Sequence, residues 1–369
     1  MGASSVPSPL YALYREHWGF SAAALTGVFA VYAFSLLVSL LTLGSLSDFL
    51  GRRRVILGAV LVELLSLFMF LCADSVGMLV AARLVQGAAT GVALSALGAA
   101  ILDSDRHLAP LINSAAPMLG MAVGALGSSL LVAYAPAPMR TVYAVVIVAL
   151  LAQALATRRL PETVVPRAGA WASLRPRIAI PPAARRAFVR VVPVDVAVWA
   201  LGGFFLSLGP TLARQVTGLH SPLVGGVLLA TLTTSGALST LLLRQREAPQ
   251  LMRIASATLT AGVGLVLVAL ATGSIVPFFV GTLTAGVGFG VGFMAALRTV
   301  LASVKAAERA GLMAAFLVLS YCAFSLPALA AGFAVGRFGM TATAEVYGVL
   351  LILLALIAGL TTRARRRSH

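Results

Sequence analysis

Apolar residues run through this chain in long unbroken stretches rather than alternating with polar ones. Between polar breaks the runs cover 21–45, 54–73, 77–100, 109–133, 139–157, 189–212, 222–243, 252–271, 275–297, 310–334 and 340–361. Each is close to the roughly 20 residues that a helix needs to cross a hydrocarbon core about 30 Å thick. Lipid offers no partner to a backbone N–H or C=O, so spanning segments are helices or a closed barrel, and runs without period-two alternation select helices. The pattern predicts an all-α, polytopic membrane helix bundle with eleven full spans. A shorter stretch at 6–14 carries Pro7 and Pro9 and is too short to cross. It reads as a stub, the outer end of a helix whose beginning is absent, and no basic segment precedes it as in a cleaved leader.

Composition agrees: 60% of residues are hydrophobic, 10% are charged and the mean hydropathy is +1.00, against about a quarter charged in soluble domains. The formal charge of +16 would suggest a nucleic-acid partner in a soluble chain, so the positions of the basic residues decide. Of 27 basic residues, Arg15, Arg140, Arg214 and Arg337 occupy one set of alternate loops, Arg83 lies inside a span, and all the others fall on the opposite side, including the terminal run Arg363, Arg365, Arg366 and Arg367. Basic loops resist translocation, so that side is cytoplasmic, the C-terminus with it, and no nucleic acid is implied. The predominance of arginine, with Lys305 the one lysine, favours a bacterial inner membrane.

The longest polar gap, 158–188, holds Arg158, Arg159, Pro161, Pro166, Arg167, Arg175, Pro176, Arg177, Pro181, Pro182, Arg185 and Arg186. It reads as a cytoplasmic linker between an N-terminal bundle, 1–157, and a C-terminal bundle, 189–369. A weak internal repeat relates them: Gly87, Gly91, Val92 and Ala96 recur 199 positions later as Gly286, Gly290, Val291 and Ala295. Glycines four apart let helices approach closely, so either duplication or convergent packing explains the match.

Catalytic chemistry finds no support. Intramembrane proteases need paired aspartates, a serine with a histidine, or a metal signature, whereas His17, His107, His220 and His369 all fall in loops or at the terminus. Cys72 and Cys322 have no partner spacing and read as small buried thiols. No catalytic residue, metal or cofactor is expected.

Two local motifs are more specific. The segment Gly44, Ser45, Leu46, Ser47, Asp48, Phe49, Leu50, Gly51, Arg52, Arg53, Arg54 resembles the loop signature of the major facilitator superfamily, which lies between family helices two and three on the cytoplasmic side. The glycines permit a tight turn or close contact, and Asp48 can pair with Arg52 or face the positive N-terminus of another helix. The resemblance implies a latch made by Gly44, Asp48, Gly51 and Arg52, with Asp48 set against the start of the span at Ala310. The alternative is that the arginines are only positive-inside anchors. Second, Arg83, Leu84, Val85, Gln86, Gly87 resembles the family's fourth-helix signature, in which the arginine is tied to proton coupling or substrate binding. A charge at mid-membrane costs about 2.5–3.5 kcal/mol on insertion scales. Arg83 therefore needs a partner, a wet cavity, or a path for snorkelling to the outer surface. The repeat places Thr282, not a basic residue, at the corresponding position.

Other features are less specific. Gly124, Ala125, Leu126, Gly127, Ser128, Ser129 departs from the family's antiporter pattern, and Leu160, Pro161, Glu162, Thr163 is similar to the usual ending of helix six. The resemblance covers nearly the whole chain and implies a two-bundle secondary transporter that moves a small solute by alternating access and is coupled to protons, acting as a monomer in the bilayer. The alternative is a non-transporting sensor or scaffold, or an inactive truncated transporter. Carboxylates inside spans are the coupling candidates, ranked Asp195, Glu63, then Glu345. Asp195 and Glu63, with Arg83 and Gln86, form the expected coupling and substrate set. The family's inner helices nominate Tyr32, Asn113, Trp199 and Tyr321 as cavity residues, with Phe204, Thr233, Thr234, Phe289, Phe293 and Phe324. Pro117 and Pro327 are expected to kink two of the inner helices.

Overall fold

The structure is a computed structural model that describes residues 1–219, 221–305 and 308–364, without the side chains of 361–364. His220, His369, Arg365, Arg366, Arg367 and the side chain of Arg363 lie outside the described residues. Helices follow one another as α1 (Gly2–Ser5), α2 (Pro7–Trp18), α3 (Ala22–Leu43), α4 (Ser47–Leu50), α5 (Arg52–Leu71), α6 (Val76–Ser104), α7 (Ala109–Tyr134), α8 (Pro138–Arg158), α9 (Ala170–Ser173), α10 (Arg185–Ser207), α11 (Gly209–Thr217), α12 (Pro222–Leu242), α13 (Ala248–Thr272), α14 (Ile275–Leu301), α15 (Arg309–Phe338) and α16 (Met340–Ala364). Among the described residues, 11 helices are long and apolar enough to span a bilayer, as the hydropathy pattern predicts.

Local chemistry sets the boundaries. Ser21 and Ser75 cap α3 and α6 by accepting from the N–H of Ala24 and Met78, at 3.1 and 3.4 Å, which satisfies groups that the first turn leaves unpaired. Pro138, Pro222 and Pro249 stand in first turns, where no N–H is needed. Two expected boundaries change. The apolar run 189–212 is not one helix: α10 begins at Arg185 and stops at Ser207, and α11 follows. Pro210 cannot donate to the carbonyl four residues back, and its ring crowds that carbonyl. Likewise, the arginines at 52–54 form the first turn of α5 rather than a loop, and the segment between α8 and α10 shortens to 159–184. Helices α7 and α15 continue through Pro117 and Pro327. The stub is helical over most of 2–18 and packs against α7 and α6.

Helices α3 and α5–α8 pack on one another, as do α10–α16; the two groups meet where α3 lies on α15 and α7 lies on α12. Outward faces are apolar, with Leu61, Leu65 and Phe68 on α5, Val148 and Leu155 on α8, and Leu353 and Leu360 on α16 all exposed. Such surface is stable only against lipid.

The repeat is visible in the packing. A side chain at Gly87 or Gly91 would collide with α3 at Tyr32, Leu36 and Ser39, and one at Gly286 or Gly290 would collide with α12 at Leu232, Ser235 and Gly236. The polar contacts across these seams also correspond: Ser39 Oγ donates to the carbonyl of Ala88 at 2.7 Å, and Ser239 Oγ to that of Val287 at 3.3 Å. Lipid supplies no hydrophobic drive between helices, so close backbone approach and such bonds carry the association.

Gly290→Val should therefore force α14 away from α12 and destabilise the protein by about 1–3 kcal/mol. Gly127, with open space around it, should accept alanine. Thermal unfolding of both variants in detergent checks this; equal melting temperatures would contradict the packing argument.

Candidate functional site

Arg83 lies in α6 and is completely buried; snorkelling to the surface, the alternative allowed by sequence, does not occur. Its Nε donates to Tyr11 Oη at 2.6 Å, and its Nη1 donates to the carbonyl of Ser4 at 2.8 Å and to Gln86 Oε1 at 2.6 Å. The guanidinium also lies 5.4, 5.1 and 5.7 Å from the ring centres of Tyr11, Tyr32 and Phe70, where ring faces favour a cation. Gln86, one turn further along α6, donates through Nε2 to Glu63 Oε1 at 3.1 Å and to the carbonyl of Ala3 at 3.2 Å. Thr90, a further turn on, donates to Glu63 Oε2 at 3.3 Å. A buried cation and a buried carboxyl group are thus joined through one amide. The i, i+3 and i+7 spacing of Arg83, Gln86 and Thr90 puts them on one helix face, and α5 brings Glu63 to meet them.

Among the described residues, the second bundle carries nothing equivalent. At the repeat offset, Glu63, Arg83, Gln86 and Thr90 correspond to Gly262, Thr282, Ala285 and Phe289. The backbone of Gly262 there lies directly against Gly281 and Ala285. The scaffold packs without charges, so packing alone does not require them.

Asp195 occupies a different place, on α10. It is fully buried, and Ser320 on α15 donates to its Oδ2 at 2.8 Å. Trp199, one turn on, is in contact with Tyr321, Phe293 and Phe324 at ring-centre distances of 5.1, 5.5 and 5.7 Å. Phe29 of α3 reaches Phe324 at 5.0 Å, so this aromatic cluster touches both bundles. Tyr32 stands between the two centres, with its ring against Arg83 and its body in the same apolar group as Tyr321. The remaining candidates disperse. Asn113 is exposed and donates to the carbonyl of Gly98 at 3.2 Å. Phe204 packs on Tyr347 of α16, at 4.6 Å, away from the cluster. Glu345 is exposed near the start of α16, and Thr233 bonds within its own helix. Cys72 is exposed rather than buried, because it follows the last turn of α5; Cys322 is half-buried.

At the arginine-rich end, Arg52 Nη1 pairs with Asp48, and its Nε donates to Asp103 Oδ2 at 3.0 Å. Among the described residues, no hydrogen bond or ion pair joins Asp48 to α15; its partner belongs to the same bundle. The start of α15 is reached instead by the linker, where Ala179 N–H donates to the carbonyl of Gly311 at 3.2 Å. Two other linker contacts hold the signature loop: Arg167 N–H donates to the carbonyl of Phe49 at 2.9 Å, and Ser45 Oγ donates to that of Ser173 at 3.3 Å. Gly51 has φ +98°, and a side chain there would strike Glu162. Glu162 accepts from the N–H of Arg52 at 2.6 Å and of Arg53 at 3.2 Å, placing negative charge at a helix N-terminus that starts with three arginines. Sequence reasoning missed Glu162 and Asp103, since their partners lie about 110 and 50 positions away in the chain. It also missed Tyr11, Thr90 and Ser320, of which only Thr90 left a signal, its spacing from Arg83 and Gln86.

Two packed bundles, a charged network in one of them and an aromatic cluster at their junction are the anatomy of a membrane transporter. A sequence model of the Major Facilitator Superfamily matches residues 1–326, and the chain belongs to that family. The structure is similar to that of the nucleoside transporter NupG, determined in a mutant form, with a TM-score of 0.76 and 14% identity over 97% of this chain and 95% of that one. It is also similar to the human organic anion transporter MFSD10 (TETRAN), with a TM-score of 0.65 and 18% identity over 91% of this chain and 83% of that one. These likenesses concern the fold. No curated protein sequence is significantly similar to the chain. It is a multi-pass membrane transporter of solutes.

Removing the cap that Glu162 supplies leaves two N–H groups unpaired at the start of α5. Glu162→Ala should lower stability by about 0.5–2 kcal/mol; a detergent melting curve identical to wild type would remove Glu162 from this role.

Proposed function

We propose that the protein is a proton-coupled secondary transporter in which the bundles at 1–157 and 189–369 rock about a central site, with the linker at the cytoplasmic face of a bacterial inner membrane. The observation that carries the coupling is the chain Glu63–Gln86–Arg83, which sits in the first bundle alone. Its carboxyl group is fixed by two donors, and its cation is one amide away. A proton gained or lost at Glu63 changes whether Gln86 must present its N–H to an anion, and Gln86 passes that change to Arg83 and so to Ser4 and Tyr11 on α1 and α2. A charge and its compensating group buried together in membrane are costly unless they act. Asp195, ranked first from sequence, stands apart from this chain and is left free for the solute.

Topology follows the same reading. The arginines of α5, α8, α13 and α14, Arg52, Arg158, Arg253 and Arg298, fall on the side assigned to the cytoplasm, where Arg298 donates to the carbonyls of Arg244 and Arg246 at 2.9 and 3.2 Å. At the opposite end the bundles are in tight contact, with Gly332 against Thr26, Gly226 against Ser129 and an ion pair from Arg214 to Glu16 at 3.4 Å. In this reading, alternation requires those contacts to open.

In proteoliposomes offered nucleosides, organic anions and organic cations, one class should drive a proton flux. Glu63→Gln should abolish that flux while retaining solute exchange; an undiminished flux in this variant would sink the coupling assignment. The Asp48–Arg52 pair holds the signature loop in one state, so Asp48→Asn should slow transport at unchanged membrane insertion, measured by initial rates normalised to protein. Wild-type rates would reduce the loop to an anchor.

A further inference from the structure

We infer that Asp195 and the aromatic side chains around Trp199 form a binding site for a hydrophobic organic cation, an aryl or alkyl ammonium or phosphonium, which is the solute carried. This rests on the reading of the chain as a transporter. Asp195 is fully buried, yet only its Oδ2 is hydrogen-bonded, to Ser320, while Oδ1 has no partner. The indole N–H of Trp199 faces the same carboxyl group as its one neighbouring donor besides Ser320, outside the geometry of a full hydrogen bond. Among the described residues, no arginine, lysine or histidine forms an ion pair with Asp195, the ion pairs present being Arg52–Asp48, Arg52–Asp103 and Arg214–Glu16. A buried carboxyl group with neutral donors beside it and no cation favours a positive charge.

The walls have matching chemistry. Trp199 touches Phe293, Tyr321 and Phe324, and Phe293 continues to Phe316 at 5.8 Å. Ring faces carry negative quadrupole charge and attract a cation lacking strong hydration. Trp199, Phe289 and Phe293 keep accessible surface although they lie between α10, α14 and α15. Gly202 on α10 gives Phe289 its place, since a side chain there would come within 2.8 Å of the ring. A carboxylate with one free oxygen beside a wall of rings suits a lipophilic cation. An anion would meet repulsion from both. Arg83 does not supply an alternative anion site of equal quality, because Tyr11, Ser4 and Gln86 already take its donors and three rings enclose it, even though its Nη2 is unpaired.

The test uses the full chain in nanodiscs and two probes of the same shape and opposite charge, tetraphenylphosphonium and tetraphenylborate, with benzyltrimethylammonium as a smaller cation. Equilibrium dialysis should give saturable binding of at least one cation and none of the borate. Asp195→Asn should weaken cation binding by at least about tenfold, and Trp199→Leu should do likewise. The comparison of cation with anion on the unmodified chain keeps the proposal testable should either variant fail to fold. Binding of the borate as tight as that of the phosphonium, absence of binding by both cations, or unchanged affinity in a folded Asp195→Asn variant would each overturn it. Saturable cation binding without cation uptake into proteoliposomes would leave the site standing and count against transport.

Discussion

Helices in a bilayer have no hydrophobic reason to prefer one another to lipid, so their association depends on how closely their backbones approach. In this protein that constraint is met at two seams. Gly87 and Gly91 bring α6 onto α3, and Gly286 and Gly290 bring α14 onto α12, in both cases with no room for a side chain. Serine hydroxyls on the facing helices cross to α6 and α14 carbonyls at matching places. Once those seams are fixed, α3 is positioned to lie on α15 and α12 to lie on α7. Those two pairings are the largest contacts between the bundles among the described residues, with smaller ones from α2 to α11 and α12 and from α3 to α10.

On this near-symmetric frame the chemistry is one-sided. The first bundle carries Glu63, Gln86, Arg83 and Thr90 on facing surfaces of α5 and α6, and the second substitutes Gly262, Ala285, Thr282 and Phe289 at the same offset. The second bundle instead puts an acid on α10 and rings on α10, α14 and α15. Under the proposed function, one half would hold the coupling charge and the other the solute. Tyr32 links the two centres, its ring facing Arg83 and its neighbours including Tyr321. Arg83 therefore stands one side chain from the aromatic cluster.

The linker is more than a tether. It contributes Glu162 to the N-terminus of α5, holds the signature loop through Arg167 and Ser173, and reaches α15 through Ala179. The junction that the loop signature was expected to make through Asp48 is made by the linker backbone, while Asp48 and Arg52 keep to their own bundle.

The sequence by itself determined the number of membrane helices, the end that carries the positive charge, and the repeat of glycines, because each is a property of contiguous or periodic residues: apolar runs of spanning length, arginines in alternate loops, small residues four apart. It also marked Arg83, Gln86, Glu63 and Asp195 as unusual, since polar groups inside such runs need a reason. Only the tertiary structure decided what they face. Arg83 could have snorkelled, and instead it is closed in by Tyr11 and Ser4 of the chain's first residues; Glu162 could have been a mere helix ending, and instead it caps α5. Those pairings join groups far apart in sequence, and their choice depends on helix rotation and approach, which one-dimensional pattern does not contain.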